Sequence, residues 1–368
     1  MAIGFPVKAN YVTGEVLTAA NMNDLSGSVN LLTSAQYAAG KNKIINGDYY
    51  VNQRNFTSTT TTGTYMFDRW ITAIGGDGTS TYTSQTFTPG TAPVSGYEGK
   101  SYQRIVTTGQ TNASVATITY QPIEDVRTYA GQTVTYSFWA KASSGTPKIA
   151  LSYNQNFGSG GSADVAAYIS QVTLSTSWAR YSVSFAVPSI SGKTIGSTSG
   201  WLGILLWVSA GSSSNTITNS LGIQTNTFEL WGHQLEEGST ASDFQTATGT
   251  IQGELAACQR YYWRNTSGVA YGLLASAGAI YSTTAAQIAI QFPVPMRVAP
   301  TGIDFSSIMV QDSASNNFTP SSATIDSVTS TIYGTGLTCV ISGATANRPA
   351  RLLANNSTTA YVGASAEL

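Results

Sequence analysis

Between residues 41 and 250, apolar side chains recur at every second position in short runs, and this period decides the fold class. Val134, Tyr136 and Phe138 point one way while Thr135, Ser137 and Trp139 point the other. Tyr181, Val183, Phe185 and Val187 alternate in the same manner with Arg180, Ser182 and Ser184. Gly/Ser/Thr/Asn-rich stretches at 57–63, 158–162 and 211–215 punctuate the runs. A period of two cannot keep one face of a helix apolar, so the pattern predicts an antiparallel sandwich of the jelly-roll kind. Repeats of 20–50 residues are not visible, which disfavours a solenoid or propeller. The longest apolar run, 201–208, is too short to span a bilayer and reads as a buried strand.

Three segments follow from where this period starts and stops. Residues 1–40 are a separate appendage, with Thr18 as a helix N-cap and Met22, Leu25, Val29 and Leu32 spaced by 3, 4 and 3. About two heptads are too few for a stable isolated coiled coil, and Gly27 weakens the helix further. The stripe therefore seeks a partner, either another copy or its own domain. Residues 41–250 form the jelly roll. Residues 251–368 open with a short linking helix at 251–259, started by Thr250 or Gly249, and continue as a smaller β domain. There Ile288, Ile290 and Phe292 alternate before Pro293, Pro295 and Pro300 force an edge strand or a connector.

The charged fraction is only 10%, with a net charge of −1. No basic stripe exists to replace phosphate counterions, which excludes nucleic acid as a partner. Such a surface suits subunit packing or uncharged ligands. Cys258 and Cys339 provide neither a disulfide framework nor metal spacing, and Cys339 lies on an apolar strand face with Leu337 and Ile341. The N-terminus has no charged and apolar leader pattern, so the expectation is synthesis and folding in a cytoplasm. One histidine, His233, rules out multi-histidine metal sites, and there is no Gly-x-Ser-x-Gly elbow beside it. Glu124/Asp125, Glu236/Glu237, Asp68 and Glu98 are the carboxylates a glycosidase would need. Neighbours on a strand point to opposite faces, however, and cannot flank one glycosidic bond. The chain is read as not an enzyme.

A binding role fits the aromatic residues better. Trp139 is placed on the polar face of its strand, Arg180 on another such face, and Glu229, Trp231 and His233 opposite Phe228 and Leu230. If these strands are neighbours, Trp139, Arg180, Glu229, Trp231 and His233 form a platform on which sugar rings stack. The competing expectation buries the same tryptophans at an interface between subunits or domains.

Five ordered motifs extend this reading. They are Asn42-Lys43-Ile44-Ile45-Asn46-Gly47-Asp48-Tyr49, Phe67-Asp68-Arg69-Trp70, Tyr136-Ser137-Phe138-Trp139-Ala140-Lys141-Ala142, Leu235-Glu236-Glu237-Gly238 and Gly253-Glu254-Leu255-Ala256-Ala257-Cys258-Gln259-Arg260-Tyr261-Tyr262-Trp263-Arg264. In this order they resemble the shaft and receptor-binding modules of bacteriophage tail fibres, over roughly residues 42 to 300. The stretch from Pro6 to Asn21 also resembles the start of phage minor tail and fibre proteins. The resemblance implies a virion fibre subunit that assembles as a homotrimer and is attached to other virion proteins through residues 1–40. It implies adsorption to a host surface glycan or protein, with no insertion into a membrane. It equally admits a head fibre, capsid decoration or tail spacer without receptor affinity, and less readily a glycan-cleaving tip enzyme. The jelly-roll segment further resembles carbohydrate-binding modules, which implies a structural calcium held by Asp48 and Glu229, against the simpler reading of Asn46-Gly47 as a turn.

Overall fold

The computed structural model describes residues 40–197 and 200–368, so the stripe Met22, Leu25, Val29 and Leu32 lies outside the described residues. In chain order the first unit comprises β1 (Ser58–Thr59), β2 (Ile71–Gly75), β3 (Thr79–Thr86), β4 (Ser101–Thr108), β5 (Ala116–Glu124) and β6 (Thr133–Ala142). These are followed by β7 (Lys148–Asn156), β8 (Val165–Thr173), β9 (Ala179–Ala186), β10 (Trp201–Ala210) and β11 (Asn226–Glu237). A six-stranded sheet, β1-β3-β4-β11-β6-β9, faces a five-stranded sheet, β2-β5-β10-β7-β8. Strands β4 to β11 set β4-β11-β6-β9 against β5-β10-β7-β8, which is the double Greek key of a jelly roll. The fold class expected from the alternation is therefore present.

The alternation itself makes the core. Tyr82, Ile105, Phe138, Phe228 and Leu230 from one sheet meet Ile149, Leu151, Leu202, Ile204 and Leu206 from the other. Each such side chain contributes about 1.5–3 kcal/mol by leaving water. In β6 even the opposite face is buried, including Thr135, Ser137 and Trp139. That face is roofed by residues from the segments before β4 and after β11, among them Phe87, Tyr97 and Phe244.

A helix spans Ile251–Gln259, and its N-cap is Thr250, whose hydroxyl accepts the Gly253 N–H at 3.0 Å. The strands beyond it are β12 (Tyr262–Thr266), β13 (Leu273–Ala275), β14 (Ala277–Ser282), β15 (Ala285–Gln291), β16 (Gly302–Ser306) and β17 (Ile308–Asp312). They continue with β18 (Asn317–Phe318), β19 (Ser322–Asp326), β20 (Gly334–Val340), β21 (Ala350–Ala354) and β22 (Tyr361–Ser365). Three antiparallel sheets result: β12-β22-β16, β13-β21-β17-β18 and β14-β15-β20-β19. Their common core includes Ile288, Ile290, Leu337, Cys339 and Ile341, so Cys339 occupies the apolar face its neighbours implied. The prolines after Phe292 fall in the connector between β15 and β16. Both cysteines are buried free thiols. Among the described residues no helix is long and apolar enough to cross a membrane.

Candidate functional site

The outer face of the six-stranded sheet carries four of the five residues expected to form a platform. Trp231 pairs with Trp139 across β11 and β6, Trp139 with Arg180 across β6 and β9, and Glu229 with Lys141 and Arg104. The Arg180 guanidinium lies 4.7 Å from the Trp139 ring and donates to Ser137 Oγ at 3.0 Å. None of this forms an accessible platform. Trp231 is 0% exposed, with Phe244, Tyr97 and Phe87 packed at 4.9, 5.7 and 6.0 Å between ring centroids. These tryptophans are core within one unit, which corrects the platform reading.

His233 departs further from expectation. The β11 register shifts between Trp231 and Gln234, and Gly232 takes φ +68°. One extra residue reverses the parity of the strand, so His233 turns inward instead of joining Trp231. Its Nε2 and Nδ1 lie 2.8 and 2.7 Å from the Tyr49 and Tyr136 hydroxyls. Burial lowers its pKa to about 3, so the ring stays neutral in ordinary buffers. The Trp139 ring lies over Gly232, where a Cβ would come within 2.8 Å of it.

The expected calcium pair is not assembled. Glu229 is neutralised by Arg104 and by Lys141, whose Nζ lies 2.9 Å from Oε2. Asp48 instead accepts the Tyr97 hydroxyl at 2.6 Å and the Tyr50 N–H at 3.3 Å. A carboxylate already held by two cations does not suit a third, and Asp48 lacks Glu229 as a neighbour. Among the described residues no cluster of three or more His, Cys, Asp or Glu side chains is placed to hold a metal. Asn46-Gly47 forms the turn that the simpler reading gave, with Tyr49 N–H donating back to Asn46 O at 3.2 Å.

Three of the five motifs behind the fibre resemblance, at 42–49, 67–70 and 253–264, meet at one junction. Glu254 of the linking helix accepts the Asn46 N–H at 2.7 Å and the Thr248 N–H at 2.7 Å. The Asn46 side chain binds Val51 on both sides and donates to Asp68 O, while Trp70 Nε1 donates to Asn46 O at 3.0 Å. Arg69, 1% exposed, bonds the Glu367 carboxylate and Pro122 O and stacks 3.5 Å from the Tyr261 ring centroid. Asp48, Tyr97 and Glu254 line a cavity of about 280 Å3 beside this junction. Burial raises the pKa of both Asp48 and Glu254. Glu236 is tied to Lys41, Ser242 and Gln234, while Glu237 faces solvent, so that adjacent pair is split as the strand argument required.

The open face lies on the other sheet, where the sequence reading placed only a buried strand. In β10 Leu202, Ile204, Leu206 and Val208 enter the core, so Trp201, Gly203, Leu205 and Trp207 face outward. Trp207 is covered by Ile217 and Leu221, and its Nε1 donates to Ser152 Oγ at 2.9 Å. Trp201 is half-buried and lies flat: a Cβ on Gly203 would stand 2.6 Å from its ring. Tyr120 on β5 continues the surface, with centroids 5.9 Å apart and planes 34° apart. Asn156 and Asn154 on β7 stand opposite Trp201 and Gly203 in register. Both amides donate to Asp164, at 3.1 and 3.2 Å. Asn154 Oδ1 is itself buried and, among the described residues, has no protein partner. The signal was present in the sequence as Trp201-x-Gly203-x-Leu205, hidden because the opposite parity is also apolar.

No protein-family model matches this chain, and no curated protein does. Solved structures do. The enzymatically active domain of bacteriophage CBA120 tailspike protein 4 matches at 14% identity over 54% of this chain and 22% of that one, with a TM-score of 0.33. The CBM22-2 xylan-binding domain from Paenibacillus barcinonensis Xyn10C matches at 19% identity over 46% of this chain and 92% of its own, TM-score 0.30. A family 11 carbohydrate-binding module from Clostridium thermocellum, in complex with a β-1,3-1,4-mixed-linked tetrasaccharide, matches at 14% identity over 50% and 99%, TM-score 0.31. At these scores the likenesses carry no argument, and the chemistry is read from the residues.

On that reading the five-stranded face offers two flat aromatic rings edged by two amides and a carboxylate. Such a surface can stack an apolar ring face and hydrogen-bond the hydroxyls at its rim.

Proposed function

We propose that this chain is a non-enzymatic virion fibre subunit that adsorbs to a host-surface glycan through the outer face of the five-stranded sheet. One observation carries the binding site: the Trp201 indole rests across Gly203 beside Tyr120, with Asn154, Asn156 and Asp164 at its edge. A flat ring already fixed in place loses little conformational entropy on stacking. The fibre assignment rests on the motif resemblance, with residues 1–40 joining the virion and three copies raising avidity through effective concentration.

The test compares wild type with Trp201→Ala and Gly203→Val in adsorption to host cells and on immobilised glycans. Loss of a central stacking ring costs about 2 kcal/mol, roughly a 30-fold weakening. Gly203→Val acts differently, by lifting the indole off the sheet while leaving its chemistry intact. If both variants adsorb as wild type does, the platform is not the adsorption site. One observation favours a purely structural fibre or spacer: residues of the resembling motifs serve the junction and core, where Asn46 meets Glu254, Arg69 meets Glu367 and Phe138 is buried. That reading expects unchanged adsorption by Trp201→Ala together with loss of intact particles when the chain is deleted.

A further inference from the structure

The unit beyond the linking helix carries its own concave surface. On the outer face of β14-β15-β20-β19 the side chains are small: Ala289 pairs with Gly336 on one side and Ala277 on the other. A trough of about 620 Å3 opens over them, and a second cavity of about 440 Å3 joins it at Ala277, Ala289 and Gln291. Each volume lies inside the roughly 300–1,000 Å3 of ordinary small-ligand sites.

The lining chemistry restricts what would enter. Gln287 and Gln291 alternate with the buried Ile288 and Ile290, so both amides are exposed. Tyr333 forms part of the wall and is 66% exposed. Among the described residues Asp326 is the one charged group lining the trough. Its carboxylate is already used by its own turn, accepting Val328 N–H and Thr329 Oγ1 at 3.0 Å each. An acidic ligand would find no cation here, and a cationic one only an occupied carboxylate. Amides both donate and accept, as sugar hydroxyls do. A floor of Ala and Gly lets a ring approach the sheet, and the tyrosine supplies a stacking face.

We propose that this trough is a second binding site, for an uncharged oligosaccharide, separate from the Trp201 platform. One protomer then holds two sugar sites on different units. The inference shares only its ligand class with the proposed function.

The full chain is tested on an array of neutral oligosaccharides of glucose, galactose, mannose and N-acetylglucosamine, with sialylated and uronic-acid glycans as the charged arm. Ala289→Trp fills the trough, and Tyr333→Ala removes a side chain that is mostly in water and supports no core. Both are expected to weaken binding at least ten-fold to neutral glycans that Trp201→Ala still binds. Wild-type binding by both variants on every glycan overturns the inference, as does binding confined to the charged arm. A fall in sedimenting mass with unchanged glycan binding also overturns it, by making the trough a contact between copies. Loss in Trp201→Ala alone removes this site and keeps the platform. Loss in the trough variants alone does the reverse.

Discussion

Glu367→Gln tests whether the junction is the mechanical centre of the molecule. Arg69 is 1% exposed, and three groups compensate its charge: the Glu367 carboxylate, Pro122 O and the face of Tyr261. The substitution keeps the shape and removes the one anion, among the described residues, bonded to this guanidinium. Breaking a buried pair by deleting one partner costs about 3–5 kcal/mol, because the remaining charge is left in low dielectric. Here the lower end applies, since the carbonyl and the ring remain, and a desolvated cation–π contact still contributes about 2 kcal/mol. Arg54 also loses Glu367 at 3.3 Å but keeps Asp68 at 3.8 Å. About 3 kcal/mol is therefore expected. In urea it appears as a lower midpoint at unchanged slope, and on heating as a fall of roughly 4 °C if the units unfold together, because the loss is divided by an unfolding entropy of about 2.1 cal/mol/K for every residue of the cooperative unit. Arg69→Met with Glu367→Leu should recover much of the loss, because an apolar pair of similar volume removes the unpaired charge. A Glu367→Gln protein within about 0.5 kcal/mol of wild type, or a double mutant whose losses simply add, would refute the reasoning.

The remaining expectations concern burial and parity. Gly232→Ala combines a positive φ with a Cβ driven onto the Trp139 ring, so it should destabilise by about 3 kcal/mol in denaturant titration. The His233 imidazole should show no NMR titration between pH 4 and 8, and any midpoint near 6.5 contradicts its burial between Tyr49 and Tyr136. Because its folded pKa is depressed, His233 contributes stability above 6.5 that is lost as pH falls toward about 3. Asp48 and Glu254 act with the opposite sign: their folded pKa values are raised, so the stability they give is present below about pH 4 and is lost as pH rises. Asp48→Asn should accordingly reduce that downward slope in a pH series of unfolding midpoints, and an unchanged slope would count against it.

The period of two was enough to read the sandwich, because it records which side of each strand meets the other sheet. It also put Trp139, Arg180, Glu229 and Trp231 on one face. It could not show that this face is roofed, since Phe87, Tyr97 and Phe244 come from segments distant along the chain. His233 was misplaced by a single residue. The glycine before it, inside an otherwise regular strand, was the available sign of a bulge. Trp201 was missed for another reason. When both faces of a strand are apolar the run looks wholly buried, and only the small residue at Gly203 distinguishes a ring lying on the surface from one inserted into the core.

The scarcity of charge has a structural counterpart. Asp48, Asp68, Arg69, Glu229, Glu236, Glu254 and Asp312 are all buried, although such residues are seldom buried without partners. Most are held by backbone N–H groups, hydroxyls or a guanidinium, and Arg69, Asp68 and Glu254 lie where the linking helix and the last strand meet the sandwich. A chain that is only 10% charged thus places a substantial part of its charge inside, fixing one unit on the other. The Trp201 rings and the trough over Ala289 are bordered mostly by amides, hydroxyls and aromatic carbon, with Asp164 and Glu124 beside Trp201 and Asp326 at the trough. Residues of the resembling motifs at the junction are thus placed where a change costs stability.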